Sequence, residues 1–174
     1  PWESCMTIDQ GTSWSYNGPT GAKTPKDLAG FLINNTCNDG NLLLNIGLMP
    51  NGQFSQVHLD AFAELGSWLQ QNAEAFYNTR GGPYVEPGWG GSAYRTNEDG
   101  TTTLYLHISP SVRGSYAVQG NTLTIQRPSD GKIYSSAIVL GHPEINLDFE
   151  LNEEGYTFTL PEGMAFADGK SLSS

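Results

Sequence analysis

One unbroken apolar run between two glycines, GNLLLNIG at residues 40–47, constrains the fold more than any other feature. Such a run predicts a β-strand buried on both faces, which is typical of a parallel strand covered by helices. A second strand is predicted over residues 1–8, in PWESCMTI. Since each strand is followed by a helical pattern, residues 1–80 are predicted to be β-α-β-α material with a parallel sheet.

Start signals and apolar spacing predict the two helices. In TPKDLAGFLINNTC, Thr24 is a good N-cap, Pro25 takes the first helical position and Asp27 lies in the first turn. In SQVHLDAFAELGSWLQQN, apolar side chains recur on one helical stripe; they are Ala61, Phe62, Leu65, Trp68 and Leu69. Two strands leave both sheet edges open, and a (β/α)₈ barrel takes about 250 residues. The first half is therefore predicted to be a segment of such a barrel.

The pattern changes near NTRGGPYVEPGWGGS, residues 78–92, where glycine and proline crowd together. SAYRTNEDGTTTLYLHIS is predicted to be two strands joined through NEDG. Further short strand-like segments follow, separated by turn signals; they are NTLTIQ, KIYSSAIVL, INLDFELN and GYTFTL. Six or seven short strands predict a small antiparallel β-sandwich. The predicted fold class is α/β plus all-β, with a partial TIM-type barrel segment over residues 1–83 and the sandwich over residues 84–174.

Charge and residue spacing argue against several classes of function. The formal net charge of −10 argues against nucleic acid or an anionic membrane as partner, because both attract basic surfaces. The sequence holds no apolar run of 18 residues, so no membrane-spanning helix is predicted. Single, scattered histidines show no metal-ligand spacing, and no metal or other cofactor is predicted. Cys5 and Cys37 are predicted to be small buried hydrophobes rather than catalytic thiols.

Three motifs, in this order and spacing, resemble the closing segment of the catalytic barrel of the α-L-fucosidases, glycoside hydrolase family 29. They are PWESCMTIDQGTSWSYN, GNLLLNIG and AELGSWLQQNAEAFYNTR. In that family they form a late barrel strand with its loop, the last barrel strand and the last barrel helix, and a C-terminal β-sandwich follows. Ser15, Leu48 and Ala73 stand where the family has glycine, proline and glycine. Ser15 matters most, because losing glycine restricts φ in the loop.

The resemblance implies a retaining glycosidase, in which two carboxylates about 5–5.5 Å apart act as nucleophile and acid/base. The family's nucleophile is an aspartate on an earlier strand that this chain lacks. Glu3 aligns with the acid/base of one branch of the family, and desolvation in an apolar strand near the carboxyl face of the barrel would suit that role. The alternative is a buried, structural or substrate-orienting Glu3 paired with an arginine or a tryptophan N–H.

Asp9 is the second catalytic candidate. The alternative is that Asp9 is a loop residue whose carboxylate caps or hydrogen-bonds the backbone. Six residues of extended strand would place it about 20 Å from Glu3 unless the chain folds back after Ile8. Trp14 and Tyr16 are the candidate substrate-binding residues, because fucose needs an apolar wall for its methyl group. Trp14 packed against the last helix is the alternative.

The predicted function is therefore hydrolysis of α-L-fucosyl bonds in a fucosylated glycan or small fucoside, by a truncated enzyme or a fragment of one. The alternative is a fucose-binding or structural module without catalysis. Open sheet edges also predict a homo-oligomer that covers them. Since family members act on glycans outside the cytosol, a periplasmic, secreted or lysosomal location is expected.

Overall fold

The computed structural model describes residues 2–11, 13–18, 21–85, 89–108, 118–119 and 121–162. An α/β part comes first, with β1 (Trp2–Thr7), α1 (Pro25–Cys37), β2 (Gly40–Asn45) and α2 (Gln56–Asn72). A 3₁₀ turn, Ala73–Ala75, follows α2. A β-rich part follows, made of β3 (Arg80–Gly81), β4 (Gly90–Thr96), β5 (Thr102–Ile108), β6 (Val118–Gln119), β7 (Thr122–Gln126), β8 (Ile138–Val139), β9 (His142–Asn146), β10 (Asp148–Leu151) and β11 (Gly155–Thr159). This order confirms the predicted change from α/β to β structure.

The α/β part forms where the sequence predicts it. β1 and β2 pair in parallel, with Thr7 opposite Asn45 at their carboxyl ends. The Thr24 side chain accepts a hydrogen bond from the Asp27 N–H at 3.2 Å, which caps α1 as expected. A small core centres on Ile8, Leu28 and Ala61. Neither α1 nor α2 is long and apolar enough to cross a membrane.

In the described residues, α1 and α2 cover one face of the β1–β2 sheet and much of the other face is exposed, so the prediction of burial on both faces is wrong. Leu44 packs into the core beneath the helices. Leu43, its neighbour in β2, is 45% exposed. Cys5 lies opposite Leu43 and is also exposed, whereas Cys37 is buried. The reason is strand alternation: odd-numbered positions of both strands point away from α1 and α2.

The β-rich part contains three antiparallel sheets in the described residues, with strand orders β3-β4-β5, β10-β11-β7-β6 and β8-β9. One apolar core draws side chains from the first two of these sheets, and its buried members are Tyr84, Trp89, Leu123, Ile125, Tyr156 and Phe158. The segment KIYSSAIVL was predicted to be one strand. Only Ile138–Val139 adopts strand structure there, and the preceding residues are irregular.

The two parts meet where α1 ends. Gly91 of β4 lies so close to Cys37 that a Cβ atom at residue 91 would be 2.7 Å from the Cys37 Cβ. The Arg80 guanidinium binds both carboxylate oxygens of Asp39, at 2.8 and 2.6 Å. That guanidinium and the Gly81 N–H hold the pKa of Asp39 below its usual value. These contacts fix the first strand of the β-rich part against the turn between α1 and β2.

Replacing Gly91 by alanine is expected to destabilise the chain by about 1–3 kcal/mol, because the added methyl group overlaps the Cys37 side chain. Urea unfolding followed by circular dichroism measures the change. Gly66→Ala is the matched control, since no atom lies within 4 Å of a Cβ built at that helical position. The control is expected to raise stability by about 0.5–1 kcal/mol. Equal effects of the two substitutions would contradict this description of the junction.

Acid is expected to weaken the same junction through His107. Its ring lies 4.8 Å from the Phe76 ring. Burial lowers the pKa of His107 to about 4, against a smaller opposing effect of the Ala75 backbone. The unfolded chain binds this proton below about pH 6.5 and the folded chain does not, so this contribution to stability is intact above pH 6.5. It is lost as the pH falls toward 4, by at most about 3 kcal/mol.

The measurement is the free energy of unfolding at pH 7 and pH 5, in the unmodified chain and in His107→Gln. The variant is expected to lose part of the pH dependence. His142→Gln is the control, because His142 is an exposed histidine outside this junction. If both variants keep the full dependence, carboxylates and not His107 are responsible.

Candidate functional site

The carboxyl ends of β1 and β2 lie side by side because the strands are parallel and in register. This edge of a parallel sheet is where α/β proteins place their ligand sites. The chain leaving β1 runs through Asp9, Trp14 and Tyr16, so three of the four candidate residues lie in one loop beside this edge. We call residues 9–18 the β1 loop.

Two strand-end side chains hold the β1 loop. The Thr7 hydroxyl donates to the Ser13 carbonyl oxygen at 2.8 Å. The Asn45 side-chain amide donates to the Trp14 carbonyl oxygen, also at 2.8 Å. Successive carbonyl groups of the loop are therefore bound by the last residues of neighbouring strands. Gly47 adds a close approach, because a Cβ there would lie 2.4 Å from the Tyr16 backbone nitrogen.

Asp9 and Lys23 hold the first turn of the loop. Asp9 is buried, and its carboxylate accepts a hydrogen bond from the Gly11 N–H at 2.9 Å. The Lys23 ammonium donates to the carbonyl oxygens of Asp9, at 2.5 Å, and Gly11, at 3.1 Å. The Asp9 carboxylate thus binds a backbone N–H, as expected if Asp9 is a structural loop residue. Its catalytic role remains a prediction.

Trp14 is 56% exposed although its backbone is held. This exposure argues against the alternative in which Trp14 packs against the last helix. An indole offers a large flat apolar face and one polar N–H, which suits it to contact a ligand that is apolar on one side. Tyr16, two residues further along the loop, is half-buried.

Glu3 does not have the environment that the sequence predicted. It is the second residue of β1, near the amino end of the strand, and its side chain is exposed. Alternation places it with Cys5 on the face that the helices leave uncovered. Both the desolvated acid and the buried structural glutamate are therefore wrong as descriptions of its surroundings. The tryptophan N–H beside it bonds elsewhere, since Trp2 Nε1 donates to the Asn38 carbonyl oxygen at 2.8 Å.

Sequence reasoning missed the role of Thr7, and for Asn45 it predicts hydrogen bonding within the barrel or to a sugar hydroxyl. The available signal was positional: each is a polar residue that follows an apolar one at the carboxyl end of its strand. Among the described residues, no group of three histidine, cysteine, aspartate or glutamate side chains is arranged to hold a metal ion. Away from this edge, an open groove of about 540 Å³ lies along β2 and both helices. Its apolar lining includes Leu44, Phe62 and Leu65.

Parallel strands, an aromatic loop fixed at their carboxyl ends and a β-rich part after them define the class of fold: an α/β part with an aromatic loop at the sheet edge where such folds place their ligand sites. Residues 1–74 match the sequence model of the family described as Alpha-L-fucosidase. The plasma α-L-fucosidase of Homo sapiens is 31% identical over 147 residues, which cover 82% of this chain and 27% of the human protein.

Solved structures show the same fold at lower identity. The α-L-fucosidase isoenzyme 1 of Paenibacillus thiaminolyticus superposes with a TM-score of 0.76 at 23% identity, over 97% of this chain and 38% of its own. A family 29 α-L-fucosidase of Bacteroides thetaiotaomicron, trapped as a covalent intermediate, superposes with a TM-score of 0.75 at 21% identity. The match covers 94% of this chain and 35% of the Bacteroides chain. The chain is thus related to the family 29 α-L-fucosidases and matches their C-terminal part, which confirms the motif resemblance. It spans between 27% and 38% of the length of these relatives.

Proposed function

We propose that this chain belongs to an enzyme that hydrolyses α-L-fucosyl glycosidic bonds with retention of configuration. The observation that carries the proposal is Trp14, an exposed indole on a loop held at the carboxyl edge of two parallel strands. The family match over residues 1–74 supports it. A covalent intermediate trapped in the Bacteroides relative is what a retaining mechanism requires in that enzyme. The substrate proposed is a fucosylated glycan or a small fucoside.

We propose the finer architecture on two observations. Residues 1–83 are assigned to the end of a (β/α)₈ barrel because the parallel β1–β2 pair carries helices on one face. In a closed barrel the other face is the interior. Residues 84–174 are assigned to a β-sandwich because β5, β7 and β11 contribute to one apolar core. Arg80–Gly81 pairs with Tyr94 and Ala93, so this short strand joins the two assigned domains.

In the proposed site Trp14 and Tyr16 bind the sugar. Fucose is a 6-deoxy sugar, so one end carries a methyl group that gains from apolar contact. The exposed indole of Trp14 supplies that contact. Tyr16 is half-buried and supplies a phenol close to the same edge.

Glu3 and Asp9 are the proposed catalytic carboxylates of this chain, for the acid/base step, and the nucleophile comes from a strand outside it. Glu3 lies on the face that would line a barrel, which supports its proposed role, although it stands near the amino end of β1 and Trp14 lies beyond the carboxyl end. Asp9 lies at the carboxyl edge beside the proposed sugar site, although its carboxylate already binds the Gly11 N–H. Separate variants of the two residues distinguish them.

Trp14→Ala is expected to weaken L-fucose binding by about 1–3 kcal/mol, because the apolar contact with the sugar is lost. Isothermal titration calorimetry gives the affinity and circular dichroism checks the fold. Trp2→Ala is the control, since Trp2 is similarly exposed at the opposite end of the strand. Unchanged fucose affinity in Trp14→Ala, with an intact fold, would remove Trp14 from the site.

In an enzyme that combines this chain with the strand that carries the nucleophile, Glu3→Gln is expected to slow hydrolysis of a fucoside with a poor leaving group by about 10²–10⁴-fold, because such a leaving group needs protonation. An activated aryl fucoside should lose much less. Asp9→Asn is tested in parallel. Equal losses on both substrates, with a lowered melting temperature, would assign a structural role to the residue concerned. No hydrolysis of either substrate by the unmodified chain would count against catalysis by this chain alone.

A homo-oligomer is also proposed, because apolar surface remains uncovered in the described part of the chain. Leu43 is exposed on the open sheet face, and the groove along β2 is lined by apolar side chains. A closed symmetric assembly would cover both. Light scattering at micromolar concentration is expected to give at least twice the 18.8 kDa mass of the chain. A stable species at the mass of one chain would contradict the oligomer and leave the other proposals unaffected.

A further inference from the structure

We propose that Thr7 and Asn45 are positioning residues that set the direction of the Trp14 side chain for sugar binding. The inference rests on the proposed function, in which Trp14 contacts the sugar. It concerns two residues that do not themselves reach the ligand. Both lie at the ends of strands, and both donate to the backbone of the β1 loop.

The two donors are arranged as a pair. Thr7 and Asn45 are direct partners in the parallel register, so their side chains leave the same face of the sheet. Each makes a 2.8 Å hydrogen bond, one to the Ser13 carbonyl oxygen and the other to the Trp14 carbonyl oxygen.

These two bonds fix Trp14 from both sides. The Ser13 carbonyl belongs to the peptide group before Trp14, and the Trp14 carbonyl belongs to the peptide group after it. Peptide groups are planar, so a hydrogen bond to the oxygen of each plane restrains both backbone dihedrals of the residue between them. Those dihedrals set the direction of the Trp14 Cα–Cβ bond. The sheet thus limits where the exposed indole can point, and χ1 and χ2 turn the ring within that limit.

Thr7 also connects this arrangement to Asp9. Its hydroxyl oxygen accepts a hydrogen bond from the Asp9 N–H at 3.3 Å while the hydroxyl donates to Ser13. Thr7 is only 6% exposed, so a lost partner leaves polar groups poorly solvated. Replacing the Thr7 hydroxyl by a methyl group therefore removes the hydrogen bonds to the Asp9 N–H, at the start of the loop, and to the Ser13 carbonyl oxygen, just before Trp14.

The experiment uses the full chain labelled with 5-fluorotryptophan and followed by ¹⁹F NMR. Trp14→Phe identifies the Trp14 resonance by its disappearance. Thr7→Val and Asn45→Asp each remove one donor with little change in size, and Thr7→Ser restores the hydroxyl. Asn41→Asp is the matched control, because Asn41 lies on the same face of β2 at the opposite end of the strand.

The Trp14 resonance is expected to shift or broaden in Thr7→Val and Asn45→Asp, with the other tryptophan resonances little changed. Thr7→Ser, which keeps a hydroxyl at residue 7, and the control Asn41→Asp are both expected to give the Trp14 resonance of the unmodified chain. Fucose affinity is expected to fall about 3- to 10-fold with each lost donor, the effect of one hydrogen bond.

A Trp14 resonance that is unchanged in both donor variants would overturn the inference. The same holds if the Trp14 resonance changes only together with all the others, because Thr7 and Asn45 would then be structural. The proposed function fails by a different result: no fucose affinity in the unmodified chain, whatever the spectra show. In that case the ¹⁹F spectra still decide whether Thr7 and Asn45 direct Trp14.

Discussion

The candidate site depends on the parallel register of β1 and β2. Because Thr7 lies opposite Asn45, two donors stand next to each other at the carboxyl edge. A shift of one residue would turn one donor to the helix-covered face, since side chains alternate along a strand. The loop carbonyls of Ser13 and Trp14 would then lose a partner. The hydrogen bonds that hold the aromatic loop are thus a consequence of strand pairing, and the pairing follows from burial of Leu44 and Ile46 beneath the helices.

The same alternation explains why one sheet has two different faces. Leu44, with Ile8 and Ile46 just beyond the strands, packs against α1 and α2, and odd-numbered positions carry Glu3, Cys5 and Leu43 on the open side. A buried glutamate in an apolar strand would require a charge partner or protonation. An exposed glutamate requires neither, so Glu3 costs the described part of the chain little free energy of folding. Its surroundings would change only if other strands covered this face, as the proposed barrel requires.

Local chemistry predicted much of the fold and little of the site. The Thr24 cap, the helix α1, the β4–β5 hairpin and the parallel pairing all followed from residue spacing, because short-range preferences and burial agree there. The motifs also located the aromatic loop. What failed depended on which elements lie against a surface: burial of Glu3 and Cys5, and a continuous strand in KIYSSAIVL. The Thr7 and Asn45 contacts were not predictable, because they join residues that only the register brings together.

Ser15 shows how the loop tolerates a departure from the family's pattern. Serine in place of glycine would strain the loop only if that residue needed a positive φ. Among the described residues other than glycine, Asp39 and Asn78 have positive φ and Ser15 does not. Glycine is required instead at residue 47, because a Cβ there would lie 2.6 Å from the Ser15 carbonyl carbon and 2.4 Å from the Tyr16 nitrogen. The loop therefore keeps its close contact with β2 through Gly47, and a side chain at residue 15 is compatible with the position of Trp14.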